Sequence, residues 1–488
     1  MSFITEDVAN QLTAQNSPVM LAAPTLGPYY RAVNYTWTIT NFDSYVTYIL
    51  TSSNGTVLVS GQTVIFTGTS VGPAQFTINT RTITFTISTI TNFIATLVGS
   101  GTTELGRAVA VDASDNIYVA GNISTLGGGI PVAKYDSEGF IQWQIKIGNS
   151  GSSLANGIAV DSSGNIYIVG TVPSSRAYIA KLNNSGVMQW QYYLTAGSYS
   201  DVIIDNNGDI IAVGGFAGTV YFHRWDTSGT LLTQRAVYTT FGSNNVYSIV
   251  QDITGNYIIG ASTSATGNDG YIVIFNASYN FTNDAQVGTA NGYVSGIVTD
   301  SAGDIYCAIN ETSAGASSLF IIMKLNTSLV TQWARQLSNV TGAEVCNDIA
   351  IDSAGNVYGV GYFNALGTQD ILIAKYDSAG VIQWQRQLTA TGTQNALSVT
   401  INNQGDIVVT GNEANDLLLA VLPSDGSKTG TYIVGGVTFT YSAGTMTAGT
   451  SSASSLTVST STLTPTSTPV ADTQTVTTTT ATSNSVPI

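Results

Sequence analysis

The stretch Gly157-Ile-Ala-Val-Asp161-Ser-Ser-Gly164-Asn165-Ile-Tyr-Ile-Val-Gly170 decides how this chain is read, because it recurs along the sequence. A second copy reads Asp348-Ile-Ala-Ile-Asp352-Ser-Ala-Gly355-Asn356-Val-Tyr-Gly-Val-Gly361. The anchor aspartate returns at Asp112, Asp205, Asp252 and Asp300, and as Asn402, in steps of 49, 44, 47, 48, 52 and 50 residues. Three positions after each anchor stands Gly164, Gly208, Gly255, Gly303, Gly355 or Gly405, and in the first copy Asp115. Alternating apolar residues on both sides mark two half-buried strands. Asp-x-x-Gly joins them as a tight hairpin: the carboxylate accepts nearby amide protons, and glycine enters the left-handed backbone region without strain. Aspartate enters that region more readily than most residues, so Asp115 is tolerated.

A second hairpin follows in most copies, as in Ala133-Lys-Tyr-Asp136-Ser-Glu-Gly139-Phe-Ile-Gln-Trp143, and again from Lys181 to Trp190, Lys324 to Trp333 and Lys375 to Trp384. Each repeat is therefore four antiparallel strands, a to d, and seven such sheets in series are the unit of a β-propeller. The spacing also indicates how the ring closes. Gly99 precedes Asp112 by the same 13 residues that separate Gly148 from Asp161, which makes Phe93 to Val98 an outer strand d with no strands before it. The seventh repeat, from Gln394 to about Leu422, has a, b and c but no d of its own. Segment 92–98 is expected to complete it, removing two open sheet edges. The pattern resembles the seven-bladed propeller family built on Val-Asp-x-x-Gly-Asn-Ile-Tyr-Val-x-Gly followed by Ala-Lys-Tyr-Asp-x-x-Gly. That resemblance implies the fold and leaves the job open, since propellers host enzymes, binders and scaffolds alike.

The expected class is thus all-β, with a seven-bladed propeller over residues 92–430. Residues 20–91 read as a separate small β domain. Trp37 and Ile39, Tyr48 and Leu50, Val57 and Val59, and Ile83, Phe85 and Ile87 repeat at period two, with turns at Asn54-Gly55 and Gly61-Gln62. This segment looks like an immunoglobulin-like sandwich of the kind found in phage structural proteins, without that fold's cysteine pair. Residues 1–19 are expected as an N-terminal anchor segment with a short helix before Pro18. Residues 431–488 are expected as a Thr/Ser-rich C-terminal extension, in which Leu456 to Leu463 and Thr473 to Thr478 are β-prone.

The chain has 488 residues, of which 43% are hydrophobic and only 9% charged, with a net charge of −15. Its 14 Lys and Arg residues are scattered, so nucleic acid and anionic membrane surfaces are poor partners. No apolar stretch approaches the roughly 18 residues of a membrane span. Met1 to Leu12 carries Glu6 and Asp7 and does not look like a secretion signal. Cys307 and Cys346 are the only cysteines, expected as free buried thiols. A Thr-, Gly- and Asn-rich surface with no export address fits a virus particle released by lysis, and a virion is the expected location.

Catalytic machinery is scarce. His223 is the only histidine and has no recognisable nucleophile or metal partner, so a His-based zinc site is excluded. Thirteen of the 29 acids are accounted for as turn chemistry, and alternating-aspartate calcium loops are missing. The expectation is no enzyme, no metal and no cofactor. Lys134, Lys181, Lys324 and Lys375 are read as salt-bridge partners within their own blades. Trp143, Trp190, Trp333 and Trp384 are read as packing between blades.

The b–c and d–a connections vary where the rest repeats, and all of them fall on one face of a propeller. Variation over a rigid scaffold is how binding surfaces are built. Tyr199, Phe216, Asn268, Asp269, Asn310, Glu311, Tyr362, Asn364, Asn412 and Glu413 are the candidates there, a mixture of rings, amides and acids suited to neutral sugars. The expected function is a phage virion structural protein (tail fibre, spike or capsid appendage) that presents the propeller to a host-surface glycan; the resemblance supplies the phage assignment. It would meet other virion proteins through its N-terminal region and C-terminal tail, as a homo-oligomer in an assembly, without nucleic acid or membrane insertion. One alternative is a passive decoration or assembly protein. The other is a polysaccharide lyase or hydrolase using Glu311, Glu344, Asp348 or Glu413.

Overall fold

The computed structural model describes most of residues 104–446 with side chains, apart from short loop stretches, and only the backbone of the strands between Leu12 and Val98 and between Thr447 and Pro487. The chain divides into two compact units, Met1–Thr91 and Asn92–Ile488.

The anchor aspartates explain the repeat in bonds. In the second repeat, the Gly164 amide donates to the Asp161 carbonyl and the Asp161 amide to that of Asn165, each at 2.9 Å. Oδ1 of Asp161 accepts the amides of Ser163 and Asn165, while Oδ2 accepts Asn165 Nδ2 and the Tyr167 hydroxyl. One carboxylate thus sets both the reversal and the start of the next strand, which is why Asp, Asn and Tyr recur at offsets of zero, four and six. Asp112 and Asp352 hold the same four donors.

Seven of the sheets each carry one anchor, and blades 1 to 7 are named here in the order Asp112, Asp161, Asp205, Asp252, Asp300, Asp352, Asn402. In blade 2, strands a to d are Leu154–Val160, Ile166–Val172, Arg176–Leu182 and Met188–Tyr193. Alternation suggested half-buried strands, but b and c are covered on both sides. Ile166, Tyr167, Ile168 and Val169, and likewise Ala177, Tyr178, Ile179 and Ala180, are wholly buried, because blades stack face to face. Blade 7 takes strands Gln394–Ile401, Ile407–Glu413 and Asp416–Leu422 from its own repeat and its fourth from Phe93–Val98. In that pairing Phe93 stands opposite Val421, and Leu97 opposite Leu417.

Neighbouring blades are joined through strand d. The indoles of Trp143, Trp190, Trp333 and Trp384 donate to the carbonyls of Asn184, Thr227, Ser378 and Ser424, each just after strand c of the next blade. The lysines depart from the expected in-blade salt bridges. Only Lys324 forms them, with Asp300 and Asp304 at 3.3 and 3.0 Å. Lys134, Lys181 and Lys375 instead reach the following blade, bonding Asn184 Oδ1 and the carbonyls of Thr227 and Ser424. Each of the four also lies over a tyrosine ring of its own blade, 4.8 to 5.3 Å from the centroid. In these three blades an oxygen of the next blade, rather than the anchor carboxylate, accepts from the ammonium group.

Asp115, the exception to the glycine rule, has φ +60° and sits at the seam between blades 1 and 7. Its Oδ1 accepts both the amide and Nδ2 of Asn403 at 2.8 Å, bonds a glycine cannot make.

The segment expected as a separate C-terminal extension belongs to the propeller's sheets. Gly430–Val434 and Val437–Ala443 form a hairpin on the outer edge of blade 6. The chain then runs backwards around the ring, adding Thr447–Thr450 to blade 5, Thr464–Thr466 to blade 3, Val476–Thr478 to blade 1 and Thr482–Pro487 to blade 7. Each addition covers a strand edge that would otherwise offer unpaired backbone groups.

In the first unit, Leu12–Ala14 pairs antiparallel with Ser17–Val19, so strands stand where a helix was expected. A helix that short cannot offset its nucleation cost. Two four-stranded sheets follow between Leu21 and Ser88. The side chains that would define an immunoglobulin-like core there, and residues 1–11 altogether, lie outside the described residues.

Candidate functional site

Every strand a carries a bulge against strand b, and the slipped residue is Arg107, Asn156, Ser200, Tyr247, Ser295, Asn347 or Leu397 in blades 1 to 7. A bulge leaves one residue unpaired and re-aims its side chain. Strand a is the innermost of each blade, so these seven side chains turn to the ring axis. They line a cavity of about 580 Å³ there, together with Asp201, Tyr293 and Asp348. Each stands five residues before its anchor, at a position of strand a where residue type changes between blades.

The wall is stitched as well as lined. Asn156 donates to the Tyr199 carbonyl, Asn347 to that of Ala396 and Ser295 to that of Cys346, each crossing to the next blade. Asp201 accepts the amides of Val202 and, from blade 4, Ile249. Asp348 does the same with Ile349 and, from blade 7, Val399. Burial first, with Asp348 across the cavity adding to it, raises the Asp201 carboxyl to about 7 against the pull of those amides. Burial raises Asp348 to about 6. Arg107 donates from Nε to Asn122 Oδ1 at 3.1 Å, and burial lowers its pKa. Tyr247 and Tyr293 stack with centroids 4.8 Å apart at 25°.

The residues singled out from sequence are not gathered in one place. Tyr199 is not on a loop: it is wholly buried in strand a of blade 3, its hydroxyl against His223 Nδ1. Burial lowers His223 to about 4, which leaves a neutral core imidazole. Asn310 is also buried, bonding the amide and carbonyl of Cys346 in blade 6. Asn412 is buried against the carbonyls of Thr393 and Ala414. Glu413 is buried, and its pKa is raised first by burial and then by Asp416. These four serve the frame. Glu311, Tyr362 and Asn364 are half-buried at the ends of strand b in blades 5 and 6. Phe216 and Asp269 hold strand positions opposite Thr219 and Thr263, but their side chains, and Asn268 entirely, lie outside the described residues.

Of the acids named for catalysis, only Asp348 lines the cavity; Glu344 is buried at the start of strand a in blade 6. Glu104, raised to about 7 by burial and Asp416, was not singled out from sequence. Cys307 and Cys346 are both free and buried, and burial holds both thiols protonated. No group of three His, Cys, Asp or Glu side chains suited to a metal occurs among the described residues.

A closed ring of seven four-stranded blades around one axial cavity defines the class: the chain is a seven-bladed β-propeller. The family model described as a β-propeller repeat (SBBP) matches residues 142–171 and 332–365, which supports the propeller repeat read from the sequence. Both matches run from strand d of one blade into strand b of the next. No curated protein matches the sequence. Among solved structures, a catalytically inactive virginiamycin B lyase from Staphylococcus aureus, with quinupristin, is 12% identical, with a TM-score of 0.48 over 67% of this chain and 99% of that one. Sqt1 from Chaetomium thermophilum is 12% identical, with a TM-score of 0.43 over 67% and 97%. A protein of unknown function from Dyadobacter fermentans is 13% identical, with a TM-score of 0.42 over 57% and 96%.

Proposed function

We propose that this propeller is a non-enzymatic binding protein of a phage virion, which presents its variable face and axial cavity to a host-surface glycan. The observation that carries the binding role is the ring of bulged residues: the frame repeats around them while they change from blade to blade. Side chains of that kind (amide, hydroxyl, aromatic) supply the few placed polar groups and flat faces that small polar ligands need. Asp201 and Asp348, the acids in the cavity wall, each already accept two amides, which suits a structural carboxylate better than a proton-transfer group. The virion location rests on composition and on the phage-like reading of residues 20–91.

The test is binding of the purified full chain to host cells, with soluble host polysaccharide as competitor. Saturable binding that the polysaccharide abolishes is the expected result. No binding by well-folded protein overturns the attachment role in favour of decoration or assembly, and shortening of the polysaccharide overturns the non-enzymatic reading.

A further inference from the structure

We propose that the axial cavity seats a sugar residue bearing a single carboxylate, its acid group on Arg107 and its ring against the Tyr247–Tyr293 pair. The inference rests on the glycan-binding reading above and narrows it to acidic saccharides such as uronates or sialates.

Arg107 is the only Lys or Arg lining the cavity, and it makes no ion pair among the described residues. Other cations of the propeller are committed to the frame. Arg224 pairs with Asp209, Lys324 with Asp300 and Asp304, and Arg335 and Arg386 donate to the carbonyls of Gly380 and Gly426. A guanidinium held in a partly desolvated wall without a counter-ion is costly unless something neutralises it. Its planar fork matches a carboxylate in two parallel bonds.

The opposite wall supplies the second contact. In a ring of seven, blade 1 faces blades 4 and 5, which carry Tyr247 and Tyr293. Both are half-buried and line the cavity, and their stack offers a flat apolar face to the C–H side of a sugar ring. Charge limits the ligand further. Asp201 and Asp348 lie two blades from Arg107 on either side, so one cation stands between two acids. Repulsion from the two acids weighs more heavily on a doubly charged phosphate than on a single carboxylate, which Arg107 can match charge for charge. The cavity, about 580 Å³, lies within the range that small-molecule sites occupy.

Calorimetric titration of the full chain with two matched pairs tests this: sialyllactose against lactose, and digalacturonate against its dimethyl ester. The acid of each pair is expected to bind at least about tenfold more tightly than its neutral partner. Arg107→Gln should erase that preference with the melting temperature unchanged, and Arg107→Lys should keep part of it. Tyr247→Ala should weaken acid and neutral forms alike. Equal affinity within both pairs overturns the inference and leaves the glycan reading standing, as does an acid preference that survives Arg107→Gln. Failure of all four sugars to bind overturns the seat, and retained binding to cells would then move the glycan site to another surface. Should Arg107→Gln not fold, the matched pairs on the unaltered chain and Arg107→Lys still decide.

Discussion

At Gly380 two constraints meet. Its φ is +77°, and a Cβ there would stand 2.6 Å from Cδ2 of Trp333 in the preceding blade. Gly405 has φ +87° with nothing within 4 Å of its Cβ position. Alanine at Gly405 should therefore cost only backbone strain, about 1 kcal/mol. Alanine at Gly380 adds a clash with an indole that its own bond to Ser378 holds in place, for a total of about 2–4 kcal/mol. Urea unfolding of the two variants checks this; equal midpoints would mean that the indole contact carries no weight. The same scale explains what sequence could reveal. Asp161 and its partners lie within six residues, so their bonds are written into a short motif. Tyr199 misleads because its partner, His223, is 24 residues away on strand c, and nothing near Tyr199 signals burial. Arg107 escapes notice because a bulge breaks the alternation on which strand reading depends. Its signal is a fixed distance before the anchor combined with a residue type, arginine, that no other blade carries there.

Strand Phe93–Val98 joins the two ends of the ring. Without it, Asp416–Leu422 would show an open edge, and that strand is apolar from Leu417 to Leu422, with every one of those residues buried. Removal of residues 1–98 should lower the melting temperature sharply and promote aggregation, whereas removal of 1–91 should leave the propeller's transition in place. Matching melting curves for the two truncations would contradict a structural role for this strand. Its position is legible because a constant spacing of glycine to anchor counts strands even where their residues differ. The added strands between Thr447 and Pro487 have no such mark. They join blade edges through backbone pairing, which Thr and Ser satisfy without alternating apolar residues, so composition alone suggests a tail.

On the scale of the whole molecule, the chain carries a net charge of −15, while the propeller's axial cavity is lined by one arginine that forms no ion pair among the described residues. The repeats build the ring, and the positions they leave free, one per blade, face its centre. The number of blades follows from counting anchors, but the site does not, because no single repeat contains it: it exists only when seven strands converge. The most direct measurement is a crystal structure of the full chain with digalacturonate or sialyllactose. The account predicts density for the sugar on the axis, its carboxylate on Arg107 and its ring against Tyr247. Sugar bound instead at the outer loops near Tyr362 and Asn364, or an axis empty at saturating ligand, would contradict it.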